Sequence, residues 1–180
     1  MIDGSGSIRT AGVDNFDRMK DFVNAVIDGF RIGYDQTHVG AIIYSARSYV
    51  NVVFGLGTYY DKKKIFDAVK EIRYPSGGTY TGAALRKARE SLYTPSQDRE
   101  DKPNVCIVIT DGKADDSIAE EAEALRNRQT TIFAIGVGKQ FDRGELEQMA
   151  GNKRNVYTRD FSDLENVIEQ IKLSACQGGF

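Results

Sequence analysis

The chain has 180 residues, enough for one domain with a sizeable core. Its formal net charge of −2 gives no electrostatic case for nucleic acid or for an anionic membrane surface. No apolar run approaches the ~20 residues that span a bilayer, and the single histidine, His38, leaves too little material for histidine-built zinc sites or the usual catalytic triads.

Taken in chain order, apolar runs and turn signals alternate regularly. The turn Asp3-Gly4-Ser5-Gly6-Ser7 comes first, with Asp3 read as the end of a first strand. Phe16, Met19, Phe22, Val23, Val26, Ile27 and Phe30 keep helical spacing, which predicts an amphipathic helix over Val13–Phe30. Val39–Tyr44 and Tyr49–Phe54 are β-rich, and the short link between them predicts an antiparallel hairpin, because a parallel crossover needs a dozen or more residues. Helices follow over Lys62–Ile72 and Gly82–Leu92. Val105–Ile109 is continuously apolar, the mark of a strand covered on both faces. A helix over Ser117–Arg128, with Asp115 or Asp116 as its N-cap, leads to the buried strand Thr131–Val137. A short helix Arg143–Ala150, an edge strand Asn155–Thr158 and a closing helix Asp163–Leu173 complete the chain.

This alternation predicts an α/β fold: a doubly wound, mostly parallel central sheet with one antiparallel edge strand and helices on both faces. One domain is expected over 1–175, with 176–180 as a tail. The first residues, polar and glycine-rich, do not read as a signal peptide. Only Met1 and Ile2 precede Asp3, so the first strand reads as truncated and Met1 as an interior strand residue of a longer chain. Cys106 reads as a small buried hydrophobe. Cys176, in the polar tail, is open to two readings, a free thiol or a disulfide to a residue preceding Met1 in an oxidising compartment.

Three separated turns carry oxygen ligands: Asp3 to Ser7, Gly77-Gly78-Thr79-Tyr80-Thr81-Gly82, and Thr110-Asp111-Gly112. Ligands of an open parallel sheet bind beyond the carboxyl ends of the strands, where strand order reverses. If the strands ending at Asp3 and Asp111 are neighbours there, both carboxylates face one solvent-facing crevice, with Ser5, Ser7 and Thr79 beside them. Two carboxylates among hydroxyls suit a hard divalent cation, Mg²⁺ first, with Mn²⁺ or Ca²⁺ as alternatives. Any single one of these turns reads equally well as helix capping; three at one sheet end do not.

The pattern Asp-x-Ser-x-Ser, then Thr, then Asp, met by Asp3, Ser5, Ser7, Thr79 and Asp111, resembles the metal-ion-dependent adhesion site of the von Willebrand factor type A domain family. Val39–Tyr44, Gly77–Leu85, Val105–Gly112 and Ala134–Gly138 are similar to that family in order and spacing, and the chain looks most like its extracellular-matrix type, found in matrilins and collagens. The resemblance implies a Rossmann-like fold and an extracellular, secreted module. It implies Ser5, Ser7 and Thr79 as direct ligands, and Asp3 and Asp111 often acting through water. The implied partner is a matrix or cell-surface protein, collagen among the candidates, that offers an acidic side chain to the ion. In related integrin domains the final helix, here Asp163–Leu173, shifts on ligand binding. The short Gly138–Asp142 link leaves no room for the extra helix of collagen-binding integrin domains. Arg143-Gly144-Glu145 is not an Arg-Gly-Asp tripeptide.

Two non-enzymatic readings therefore stand: a metal-bridged adhesion or assembly module, and a structural matrix domain whose contacts run through other faces, with Tyr59, Tyr60, Tyr74 and Tyr80 available to them. Catalysis is disfavoured. Asp-Gly-Ser-Gly-Ser is not Gly-x-Ser-x-Gly, no base stands ready for a serine, and Gly136-Val137-Gly138-Lys139 lacks P-loop spacing.

Overall fold

The computed structural model describes residues 1–99, 101–160, 167–169 and 171. Six strands, β1 (Ile2–Asp3), β2 (Ala41–Tyr44), β3 (Val50–Phe54), β4 (Asn104–Thr110), β5 (Thr130–Val137) and β6 (Val156–Arg159), form one sheet in the order β3-β2-β1-β4-β5-β6. Every pairing is parallel except β2 with β3, which places the antiparallel hairpin strand at one edge as the short link requires. The other edge is β6.

Alternation along the buried strands divides the core in two. Ile43, Ile109, Phe133, Ile135 and Val137 face one side, against Phe16, Met19, Phe22 and Val26 of α2 (Asn15–Asp28) and Ile65 and Val69 of α3 (Lys62–Lys70). Val167, Ile168 and Ile171 are buried in the same cluster; the rest of the expected closing helix, and the tail with Cys176, lie outside the described residues. Ile42, Tyr44, Cys106, Val108, Ile132 and Ala134 face the other side. They pack on α4 (Thr81–Ser91), α5 (Ala119–Arg126) and α6 (Arg143–Ala150). With both faces covered, β4 is apolar from Val105 to Ile109 and β5 from Ile132 to Val137, which is why both were legible as buried strands. Cys106 is buried, its Sγ 3.5 Å from the Met1 sulfur.

Two expectations change. The helix read over Val13–Phe30 is α2, two residues shorter at each end, and a short helix not read from the sequence, α1 (Gly6–Thr10), precedes it, with Val13, 75% exposed, on the break between them. Asn15 fixes that break, because its buried amide donates to the Ile8 carbonyl at 3.1 Å and so satisfies an end group of α1. The helix read from Ser117 starts at Ala119, and neither Asp115 nor Asp116 caps it. Instead Asp116 reaches across to the first turn of α4, accepting from the Gly82 and Ala83 amides at 2.8 and 2.7 Å. An anionic side chain there also complements the helix dipole.

Candidate functional site

Strands β1 and β4 are parallel neighbours with Ile2 opposite Ile109. Because β1 is bordered by β2 on its other side, strand order reverses between β1 and β4, and the carboxyl ends of these strands carry Asp3 and Asp111. The turn after β1 folds straight into α1. Ser5 takes the N-cap position of that helix, yet its side chain makes no capping bond. Its hydroxyl lies 3.0 Å from Ser7 Oγ and 3.4 Å from Asp111 Oδ1, while Ser7 Oγ donates to Asp111 Oδ1 at 2.7 Å. A serine here to cap a helix would bond a backbone amide; these two turn inward to a carboxylate.

Asp3 lies deeper. One carboxylate oxygen accepts the Ser5 N–H at 2.7 Å and the other accepts the Thr110 hydroxyl at 2.6 Å. Asp3 is 0% exposed and Asp111 3%. The carboxylates form the buried floor of the expected crevice, and Ser7 above them is partly exposed. Burial acts on both. It pushes the Asp3 carboxyl up to about 6, against the hydrogen bonds from Thr110 and Ser5 and with a smaller push from the Asp111 charge. Burial raises the Asp111 carboxyl as well. Among the described residues neither carboxylate has an ion-pair partner.

Thr79 arrives from the α3–α4 loop. A Cβ placed on Gly112 would lie 3.6 Å from Thr79 Oγ1 and 3.8 Å from Ser7 Oγ, so all three turns converge on one point beside Gly112. The Thr79 hydroxyl has no hydrogen-bond partner among the described residues. The loop is held by main-chain bonds, Gly6 N–H to the Gly77 carbonyl at 2.8 Å and Tyr80 N–H to the Ser45 carbonyl at 3.0 Å. Gly77 supplies the φ of +127° that this approach requires. Gly4 owes its identity to packing rather than to an ion, since a Cβ there would meet the Pro75 ring at 2.6 Å. At Gly6 the nearest atom would be 3.5 Å away, so that position has ordinary room.

Two supporting residues, Tyr74 and Asp115, escaped the sequence reading of the site, and a third, Thr110, entered it only as part of the turn around Asp111. Tyr74, grouped with the scattered tyrosines, donates its hydroxyl to the Ser5 carbonyl at 2.6 Å and carries the Arg9 guanidinium 4.3 Å over its ring. Thr110 holds Asp3 from the neighbouring strand. Asp115 accepts the Thr79 amide. Only Thr110 had a signal in sequence, its adjacency to Asp111; the other two depend on chain crossings that no spacing encodes. His38 sits before β2, with Nε2 2.8 Å from the Tyr34 carbonyl and its ring 5.2 Å from that of Tyr60, a surface packing role.

The donor set fits a hard divalent cation: two buried carboxylates without a cationic side chain, two hydroxyls already directed at one of them, and a third hydroxyl free beside them. No group of three or more His, Cys, Asp or Glu side chains suited to a metal occurs among the described residues. Soft-metal and histidine-rich sites are not what this arrangement offers.

The von Willebrand factor type A domain matches residues 1–170. Matrilin-1 of Gallus gallus is 33% identical over 98% of this chain, and the collagen alpha-5(VI) chain of Mus musculus is 35% identical over the same share. The chain spans 35% of the first and 6% of the second. Among solved structures, proximal thread matrix protein 1 from the mussel byssus superposes with a TM-score of 0.89 at 30% identity, covering 97% of this chain and 44% of its own. The same protein has been solved with a zinc-occupied MIDAS motif, and that structure superposes at 0.88 with 29% identity, over the same 97% and 44%. Manganese-loaded Plasmodium vivax TRAP protein shares the fold at a TM-score of 0.78 and 24% identity, over 94% of this chain and 69% of its own. The relatives are matrilins and collagen chains of the extracellular matrix, and no helix among the described residues is long and apolar enough to cross a membrane. The chain belongs to the von Willebrand factor type A domain family.

Proposed function

We propose that Asp3, Ser5, Ser7, Thr79 and Asp111 together hold a divalent cation, Mg²⁺ first among the candidates with Mn²⁺ or Ca²⁺ next, and that this domain binds matrix or cell-surface proteins through it. The observation that carries the reading is the inward turn of Ser5 and Ser7 onto a buried Asp111 that lacks any cationic partner among the described residues. A bound divalent cation supplies a Lewis-acidic position at which a partner's carboxylate completes the coordination.

The residues divide the work. Ser5, Ser7 and Thr79 offer neutral oxygens, so the charge of an ion is left only partly compensated by the chain itself. Asp3 and Asp111 supply the negative charge from beneath, and Thr110 and the Ser5 amide orient Asp3 so that its carboxylate cannot turn away. That balance favours an acidic partner over a neutral one. Matrilin and collagen relatives support a matrix protein, collagen included, as the partner class.

Calorimetric titration of Mg²⁺ and of Mn²⁺ into chelator-stripped protein tests this, repeated with Thr79→Ala and with acetate present. Saturable binding, lost in the variant and altered by acetate, is expected. A correctly folded protein that binds neither ion would leave a structural matrix domain, with metal-independent contacts, as the better account.

A further inference from the structure

We infer that Asp115 is a positioning residue for the metal site: its carboxylate holds Thr79 in place, so that metal affinity depends on a side chain that touches no ion. This deepens the proposed function and rests on it. Thr79 is clasped on both sides by the same residue. The Thr79 N–H donates to Asp115 Oδ2 at 2.7 Å, and the Asp115 N–H donates back to the Thr79 carbonyl at 2.9 Å. With both peptide groups of Thr79 fixed, the direction of its side chain follows, and the hydroxyl lies beside Gly112 and Ser7. The pair also joins two of the three turns of the site, because Asp115 lies four residues beyond Asp111 on the loop after β4.

That loop is itself anchored. Ala114 N–H donates to Glu145 Oε2, in the first turn of α6, at 2.9 Å, so the backbone beside Asp115 is fixed independently of the Thr79 loop. Gly78 provides a second line of argument. A Cβ on Gly78 would sit 2.6 Å from Asp115 Oδ2. The residue before Thr79 therefore has to lack a side chain for the Asp115 carboxylate to occupy its place. Gly78 has no left-handed φ that would demand glycine on its own account, so close approach of the carboxylate is what excludes a side chain there.

Asp115→Ala removes the acceptor, and outer groups that orient metal ligands are worth about 10–100-fold in affinity when lost. Asp115→Asn keeps a carbonyl oxygen for the Thr79 N–H and discards the charge. Gly78→Ala leaves Asp115 in the chain but drives its carboxylate off Thr79. Mg²⁺ titration by calorimetry is expected to show Asp115→Ala and Gly78→Ala weakened by at least 10-fold and Asp115→Asn nearer the wild type than either. The double variant Gly78→Ala/Asp115→Ala is expected to be no weaker than Asp115→Ala alone, because both substitutions break one contact. Amide hydrogen exchange of the metal-free proteins supplies a reading without metal: Thr79 exchange quickens in Asp115→Ala while β4 and β5 amides stay as protected as in the wild type.

Mg²⁺ binding by Asp115→Ala within twofold of the wild type would overturn the assignment. So would an Asp115→Asn as weak as Asp115→Ala, since the carboxylate would then act through its charge and not by holding Thr79. If the wild type itself shows no saturable binding, the metal reading falls and takes this inference with it. A wild type that binds beside an unaffected Asp115→Ala condemns the positioning role alone.

Discussion

Asp3→Asn isolates the cost of the charge at the floor of the site. The wild-type carboxyl is pushed by burial from 3.8 to about 6, and a shift of that size corresponds to about 3 kcal/mol of differential stability between its two protonation states. The sign follows from proton counting. Between pH 3.8 and 6 the native protein holds a proton on Asp3 that the unfolded chain has released, so this group's contribution to stability falls as pH rises through that window. It is fully unfavourable above the folded value. At pH 7 without metal the native state therefore carries a buried charge that asparagine lacks. Asparagine also preserves the bonds: its carbonyl accepts the Ser5 N–H, and its amide donates to Thr110 Oγ1, which can turn to the Gly112 carbonyl already 3.3 Å away. Urea denaturation in chelator at pH 7 is expected to find Asp3→Asn more stable than the wild type by about 1–3 kcal/mol, with the gap closing to under about 1 kcal/mol at pH 4. Saturating Mg²⁺ reverses the order, because an ion at 1,000 times its dissociation constant stabilises the wild type by about 4.1 kcal/mol and the variant not at all. Asp3→Ala is the control. It removes the same charge but strands the Ser5 N–H, so it should lie about 1–3 kcal/mol below Asp3→Asn. An Asp3→Asn protein less stable than the wild type in chelator at pH 7 would refute the reasoning, showing that the accepted hydrogen bonds outweigh the desolvated charge.

Three further outcomes can be checked with the same two assays. Ser7→Ala deletes a hydroxyl that donates to Asp111 from the partly exposed rim; it should leave the urea midpoint nearly unchanged and weaken Mg²⁺ binding at least 10-fold, by about 1.4 kcal/mol. Tyr74→Phe removes the donor to the Ser5 carbonyl and should cost about 1 kcal/mol of stability in chelator. Asp116→Ala leaves the Gly82 and Ala83 amides of α4 without their acceptor, at about 1–2 kcal/mol of stability; Mg²⁺ affinity within twofold of the wild type is expected, in contrast to Asp115→Ala.

That contrast marks where the sequence stops being legible. The sheet was readable because each buried strand announces itself: Val105 to Ile109 and Ile132 to Val137 are apolar without interruption, and the four-residue link after Tyr44 admits only a hairpin. The short helix α1 was not, because its five residues carry no helical repeat and its end is tied down by a side chain seven residues on, the Asn15 amide donating to the Ile8 carbonyl. The five residues of the proposed site stand out in the sequence for a chemical reason. An oxygen-rich ion site restricts residue type, and only Asp, Ser and Thr at fixed offsets in three turns satisfy it.

The residues behind those five face no such restriction. Asp115 and Asp116 are consecutive acids before a helix, and local rules make either an N-cap of the helix that follows. Both instead serve elements that precede them by more than thirty residues, one clasping Thr79 and the other the start of α4. Chain topology decides this. The loop after β4 and the loop before α4 emerge side by side at the same end of the sheet, and the amides of Thr79, Gly82 and Ala83 are orphan donors that point at it. The two carboxylates gain more from satisfying these three donors between them than from capping α5, whose first turn already holds Glu120 and Glu121. The donor types of the proposed site are thus written in the motif, whereas their placement is written in how neighbouring loops pair their unmatched backbone groups.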